Sequence, residues 1–464
     1  MGVIAAYMVP HPPIILPEIG KGEEQKINQT LQSYQAVGKE IADLKPDVIV
    51  ISSPHSILYA DYFHISPGAK AYGDFGQFRT PQVTIEADYD EEFVSHLSGK
   101  AYLEGIQAGT MGERQKELDH GTMVPLYFIK QAMQGKIDTK IVRIGLSGLP
   151  LSEHYRLGML IKQTAEELDR RLVYIGSGDL SHRLLEEGPY GYQKEGPEYD
   201  KKIMDVMGNA DFLKLFTFPE TFCDKAGECG HRSFVIMAGV LDGLALETKK
   251  LSYEGPFGVG YGICSYHVTG TDENRHFLAQ YEENREQELE ELRKKEDAYV
   301  KLARASLEHY VVTGEELPLP KNLSEEMLDQ EAGVFVSVKK EGALRGCIGT
   351  IAPVQENIAK EIIANAISAA VNDPRFDPIE KNELKDLVIS VDVLGSPEPI
   401  TSKEELDVKR YGVIVTKGYK RGLLLPNLDG IDTPEEQISI AKQKAGIQEE
   451  EQVNLERFEV VRHY

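Results

Sequence analysis

Short, almost wholly apolar runs alternate with longer amphipathic stretches over the first 270 residues of the chain. Val3–Met8, Asp47–Ser52, Ile141–Leu146 and Leu172–Gly176 read as strands, and their lack of polar alternation is that of strands buried on both faces. Between them, Glu23–Leu44, Pro125–Gln134 and Glu153–Arg170 place apolar residues at helical spacing. Alternation of this kind predicts an α/β domain, a sheet with helices on both faces. The glycine-rich segment Gly255–Val268 reads as one more strand, where backbones approach closely.

The pattern changes at TDENRHFLAQYEENREQELEELRKKED, residues 271–297, which is dense in Glu and Arg and poor in core anchors. It is expected as a charged helix, either joining two domains or packed on one with a solvated outer face. An α+β pattern follows. Tyr299–Thr313, Val354–Val371 and Pro434–Gly446 read as helices; Gly333–Lys339, Leu387–Leu394 and Gly412–Thr416 read as strands. The expected organisation is a domain at residues 1–275, a charged helical linker at 276–295 and a second domain at 296–464.

Composition narrows the function. The 464 residues carry 75 acidic and 51 basic side chains, a net charge of −24. The excess is shared: residues 296–464 hold 31 acidic against 20 basic. Neither a nucleic-acid surface nor a polybasic membrane surface is expected, since both need clustered Lys and Arg. No apolar run is long enough to span a bilayer. The N-terminal MGVIAAYMVPHPPIILPEIG lacks a charged start and is interrupted by prolines, so it is not read as a signal peptide. Four cysteines, Cys223, Cys229, Cys264 and Cys347, make no disulfide framework, and a cytoplasmic location is expected. GPFGVGYG is not the glycine fingerprint of a dinucleotide site, no GxSxG nucleophile elbow occurs, and no second cysteine pair completes a zinc site.

The histidines carry more information. His11 follows the first strand in MVPHPPI, His55 the second in VIVISSPHS, and His182 a later one in LVYIGSGDLSHR. Ligands of open α/β sheets bind at the carboxyl ends of the strands, so three histidines remote in sequence are aimed at one rim. His120, in ELDHGTMVPL, precedes a helix. Singly, each reads as a hydrogen-bonded loop histidine; together they point to a metal or acid–base site. Two histidines and a carboxylate would make the facial triad of a non-haem Fe(II) enzyme. Glu228, in CDKAGECGHRSF, is a carboxylate offered from another loop.

These motifs, in this order, resemble the LigB-like class III extradiol ring-cleavage dioxygenases over about residues 1–270. The resemblance implies Fe(II) held by His11, His55 and Glu228, with His182 as acid–base catalyst and His120 lining the pocket for substrate and O2. One hydroxyl of a catechol-like or other small phenolic substrate must lose a proton, which suits a histidine titrating near neutrality. ECGHR departs from that pattern and is similar to the CGRH-type motif of the Memo proteins. Cys229 is therefore the alternative third ligand, and a thiolate there would favour a softer metal such as Zn or Cu; otherwise Cys229 is a small buried hydrophobe.

In the second domain, LRGCIGT, residues 344–350, suggests a tight turn in which Arg345 and Cys347 line a pocket or the glycines permit packing. NDPRFDPI, residues 372–379, reads as a loop in which Arg375 pairs with Asp373 or Asp377. YGVIVTKGYKRGLLLP, residues 411–426, reads as a hairpin turning within Lys417–Gly422. LRGCIGT and its companions resemble the AMMECR1 domain, a family that supplies a fold but no reaction. The two-part order resembles the fused A-type proteins of the AmmeMemoRadiSam system, which implies radical SAM and Memo-like partners. The expected function is an Fe(II)-dependent oxidoreductase of the extradiol type. The alternative is a non-catalytic metal-binding or adaptor protein working with those partners. Whether the chain forms a homo-oligomer is left open.

Overall fold

Strand formation in the N-terminal unit follows the apolar runs. In this computed structural model, which describes residues 2–428 and 430–464, they become β1 (Val3–Val9), β2 (Val48–Ser53), β3 (Lys140–Gly145) and β4 (Leu172–Ser177). β5 (Leu244–Glu254) and β6 (Tyr261–Thr271) complete a six-stranded sheet in the order β3-β2-β4-β1-β6-β5. The first four are parallel to one another, and β6 pairs antiparallel with both β1 and β5 at one edge. The carboxyl ends of β1, β2, β3 and β4 consequently share one rim of the sheet.

The side-chain period of two splits each parallel strand between two cores. Ala6, Met8, Val48, Val50 and Tyr174 pack with α3 (Leu151–Glu167) and α4 (His231–Val240) on one face. Tyr7, Val9, Ile49, Ile51 and Ile175 pack with α1 (Asn28–Leu44) and α2 (His120–Ala132) on the other. On α1 the buried residues Leu31, Tyr34, Val37, Gly38 and Ile41 recur at three and four, the stripe expected of a helix laid on a sheet. The N-terminal unit is therefore α/β with a mixed sheet flanked by helices.

Two sequence expectations shift here. Gly255–Val268 is a turn followed by a strand: Gly258 has φ +83°, and regular pairing resumes only at Tyr261. β5 was not foreseen. It is an edge strand with Glu247, Lys249 and Lys250 in solvent, so its sequence has the polarity of a loop.

Clustering of contacts divides the chain into Met1–Glu283 and Asn284–Tyr464, inside the charged helix α5 (Phe277–Lys295). The second unit is α+β. Its main sheet contains β7 (Val334–Lys340), β8 (Ala343–Gly349), β9 (Leu387–Leu394), β10 (Tyr411–Lys417), β11 (Lys420–Leu424) and β12 (Asn454–His463), in the order β8-β7-β9-β12-β10-β11. The short strand Glu398–Ile400 pairs with β12 off that path. Helices α6 (Ala298–Thr313) and α7 (Ile358–Val371) cover β7 and β9, while α8 (Pro434–Ala445) packs on β10 and β11. LRGCIGT is not the tight turn anticipated: it is the body of β8 and the first residue beyond it. Its glycines are packing residues, since a Cβ on Gly346 would stand 2.1 Å from Ala369 O and one on Gly349 2.2 Å from the Phe335 ring. Among the described residues no helix is long and apolar enough to cross a membrane.

Candidate metal centre

His11 lies two residues beyond β1 and His55 two beyond β2, so both stand where the parallel strands end. His120 is the first residue of α2, whose N-cap Asp119 accepts from Thr122 N at 3.0 Å. Their ligand atoms all lie within 4.8 Å of one another, a group that could hold a metal ion. His11 Nε2 and His55 Nε2 are 3.0 Å apart, and the rings of His55 and His120 lie 4.0 Å centroid to centroid. His11 is buried, His120 half-buried and His55 exposed at the mouth.

The hydrogen bonds around His11 fix its tautomer. Ser177 Oγ donates to Gly121 O at 2.6 Å, so it accepts the 2.9 Å bond from His11 Nδ1. The proton is therefore on Nδ1, and the Nε2 lone pair faces His55. This is the arrangement by which an outer hydrogen bond orients a metal-binding imidazole. His11 N also donates to Asp179 Oδ1 at 2.7 Å. A Cβ on Gly121 would stand 2.4 Å from Ser53 Oγ and 3.5 Å from His11 Nδ1, so only glycine lets α2 begin against the two strand ends.

Burial dominates the protonation equilibria. It holds the His11 imidazole well below its usual range, with the neighbouring histidines adding to the shift, and lowers His55 despite Asp119. His120 falls to about 4 for the same reason. His182, also lowered by burial, is close enough to depress His11, and its ring sits edge-on to Tyr190 at 5.3 Å. At neutral pH the cluster is a set of uncharged imidazoles, the form that binds a metal.

The third ligand expected from sequence is placed as follows. Glu228 Oε2 accepts from His231 N at 2.6 Å, at the amino end of α4, where unpaired N–H groups attract a carboxylate. Among the described residues the metal-capable group is His11, His55 and His120, with neither Glu228 nor Cys229 in it. Burial raises the Glu228 carboxyl to about 7, opposed by those backbone contacts. Its neighbour Cys229 turns the other way, with Sγ 3.7 Å from His11 Nε2 and 3.6 Å from Asp179 O. Burial, then Asp179 and Glu228, push its thiol pKa up. A Cβ on Gly178 would meet Gly230 Cα at 2.1 Å, so a glycine pair presses this loop against the end of β4. His231, the histidine of ECGHR, is buried and spent structurally on Tyr199 OH and Leu215 O.

Arg143 escaped the sequence reading because it sits in an otherwise apolar strand. It is 1% exposed on β3 and donates to Ser66 Oγ, Glu117 O and Gln115 O, at 2.6–2.9 Å. Its Nη1 stands 3.8 Å from Asp119 Oδ2. Asp119 accepts from Ser53 Oγ at 2.5 Å, and Ser53 Oγ accepts from His55 N at 3.2 Å. A buried polar chain thus runs from β3 to the backbone of His55 and to Asp119, the residue before His120 that caps α2.

Comparison with known families matches residues 5–264 to the catalytic LigB subunit of aromatic ring-opening dioxygenase and residues 300–463 to AMMECR1. A Clostridium acetobutylicum protein, CA_C1420, is 45% identical over 100% of this chain and 99% of its own length. A Thermotoga maritima protein is 50% identical over 36% of this chain and 98% of its own. The crystal structure of PH0010 from Pyrococcus horikoshii is 35% identical, covering 35% of this chain and 88% of that one, with a TM-score of 0.33.

Proposed function

The chain belongs to the LigB family in its N-terminal unit and carries an AMMECR1 domain in its C-terminal one, and from that premise we propose that it is a metal-dependent oxidoreductase of the extradiol type. His11 and His55 hold the ion, Fe(II) by family chemistry, and Cys229 is the third protein ligand. The observation that carries this reading is the position of the bare His11 Nε2, between His55 Nε2 at 3.0 Å and Cys229 Sγ at 3.7 Å. Nitrogens about 2.0 Å and a sulfur about 2.3 Å from one ion stand roughly 3 to 3.6 Å apart, so the two histidine nitrogens have the spacing of donors to one metal and the sulfur stands just beyond it. Glu228, with its carboxylate on the α4 amino end, serves as a cap. A second reading takes His120 as the third donor, favoured by its ligand atom lying within 4.8 Å of both other histidines.

Fe(II), when bound, supplies the redox chemistry by which dioxygen reacts with an electron-rich diol or phenol. The residues supply the rest. Ser177 and Asp179 hold His11 in its tautomer and orientation. His182, kept neutral at the rim, accepts a hydroxyl proton from the substrate and returns it later. His120 and Phe78, 5.5 Å apart edge to face, form an aromatic wall against which a flat ring can lie.

The test is oxygen uptake by the anaerobically prepared protein on a panel of catechols. Uptake that falls at least a hundredfold in His182→Ala, with metal content retained, supports the assignment. No uptake on any diol, combined with a tight complex with radical SAM or Memo-like partners, would establish the adaptor reading in its place.

A further inference from the structure

In the C-terminal unit the side chains singled out by sequence are already occupied. Arg345 forks onto Glu383 at 3.2 and 2.9 Å and donates to the carbonyls of Asp377 and Pro378. Arg375 pairs with Asp373, and Cys347 Sγ accepts from Ser337 Oγ at 3.2 Å. The unassigned chemistry lies back at the histidine rim, on the loop that follows His182.

Residues 183–193 make an excursion from that rim before the helix Glu195–Gly208 begins. They leave three large apolar side chains in solvent, Leu185, Tyr190 and Tyr192, with Tyr190 63% exposed. Single apolar residues scattered over a surface need no explanation, but three on one short loop beside a ligand site mark a contact surface. The loop is anchored. At its base Leu184 N donates to Gly258 O and Gln193 N to Arg183 O, each at 3.1 Å, and Leu184 pairs antiparallel with Tyr192. At its tip Gly188 N donates to Leu185 O at 3.0 Å and Gly191 N to Gly188 O at 3.2 Å. Tyr190 is therefore held in place by backbone bonds and not by burial of its own ring.

What that ring touches is His182, edge to face, with centroids 5.3 Å apart and planes at 84°. The His182 Nδ1 is buried without a hydrogen-bond partner, a position that a ligand hydroxyl can fill. Aromatic rings attract one another at centroid separations up to about 7 Å, so an aromatic ligand whose hydroxyl reaches His182 comes within range of Tyr190. Tyrosine suits the task, being a large contact surface with two side-chain torsions to immobilise.

We propose that Tyr190 is a substrate-contacting residue that packs on the ring of the bound diol and selects aromatic ligands over aliphatic ones. This rests on His182 acting on the substrate at the metal centre. A ring pair is worth roughly a 2- to 12-fold gain in affinity beyond the area it buries. Loss of area weakens any ligand, whereas loss of the pair weakens an aromatic one alone, so the ratio of two affinities isolates the effect.

Catechol and lactate provide that ratio, since both offer two adjacent oxygens and only catechol carries a ring. Their affinities for the anaerobic, iron-loaded full chain are read by titration calorimetry. The catechol-to-lactate ratio should fall about fivefold in Tyr190→Ala and stay within about twofold of wild type in Tyr190→Phe, which keeps the ring. The chain contains no tryptophan, so Tyr190→Trp installs a single indole. Catechol should shield that indole from acrylamide quenching and lactate should not. A ratio unchanged in Tyr190→Ala, an equal fall in Tyr190→Phe, or quenching indifferent to catechol would overturn the proposal while leaving the metal-centre reading intact. Wild type that binds no catechol would overturn both.

Discussion

Replacing Arg143 by Met should weaken the metal centre from a distance. Met approximates the volume of the arginine stem, so no large cavity forms, and the effect comes from the lost charge and donors. Removing one partner of a buried ion pair costs about 3–5 kcal/mol. Asp119, 5% exposed, keeps its bonds from Ser53 Oγ, Thr122 N and Thr122 Oγ1, and its Nη1 contact at 3.8 Å is not a hydrogen bond. The carbonyls of Gln115 and Glu117 lie on an exposed loop where water can replace the guanidinium. The lower end of the range applies, about 3 kcal/mol. At roughly 2–4 °C per kcal/mol for a domain of this size, the melting transition of the N-terminal unit should fall by roughly 6–12 °C. Scanning calorimetry reads that shift. Because outer hydrogen bonds hold ligands in place, metal affinity should drop about 10–100-fold, read by competition titration with a chromophoric chelator. Arg143→Lys should fall between the two. A variant melting within about 2 °C of wild type with unchanged affinity would refute the idea that Arg143 positions His55 and His120 through Asp119 and Ser53.

Other expectations are as specific. Metal affinity should rise about tenfold per pH unit between pH 7 and 8, because the Cys229 thiol, held high, must release a proton on binding while the histidines, held low, are already neutral; a flat profile would transfer the third ligand to His120. Asp200, raised to about 7 by burial against its ordinary carboxylate range, binds its proton more tightly folded than unfolded, so its stabilising contribution is complete below about pH 4 and lost as pH rises to 7. Asp200→Asn should accordingly melt higher than wild type at pH 8 and no higher at pH 4.5 in the metal-free protein; equal gains at both would contradict it. Gly178→Ala, which drives a Cβ into Gly230 Cα, should cost about 1–3 kcal/mol and lower metal content. Gly99→Ala, whose Cβ meets nothing, should do neither and serves as the control.

The parallel strands and their helices were legible because burial on both faces leaves a continuous apolar run. The histidine rim was legible because strand ends are where such a sheet presents ligands. β5 was not, since an edge strand needs only one apolar face and its Lys249 and Lys250 imitate a loop. Neither was the direction of neighbouring side chains: Glu228 and Cys229 are adjacent in sequence, yet one caps α4 and the other faces His11, a difference fixed by the Gly178–Gly230 contact. Arg143 was hidden because its partners lie on a loop 26–28 residues earlier and on the α2 cap. In the second unit the motifs were visible, but LRGCIGT was read as a turn. Its glycines in fact let a strand lie against α7 and Phe335.

Metal analysis of the anaerobically purified protein tests the central claim most directly. Wild type should carry close to one iron per chain, and His11→Ala/His55→Ala should carry essentially none while its C-terminal unit melts unchanged. Full metal retention in the double variant would contradict the account.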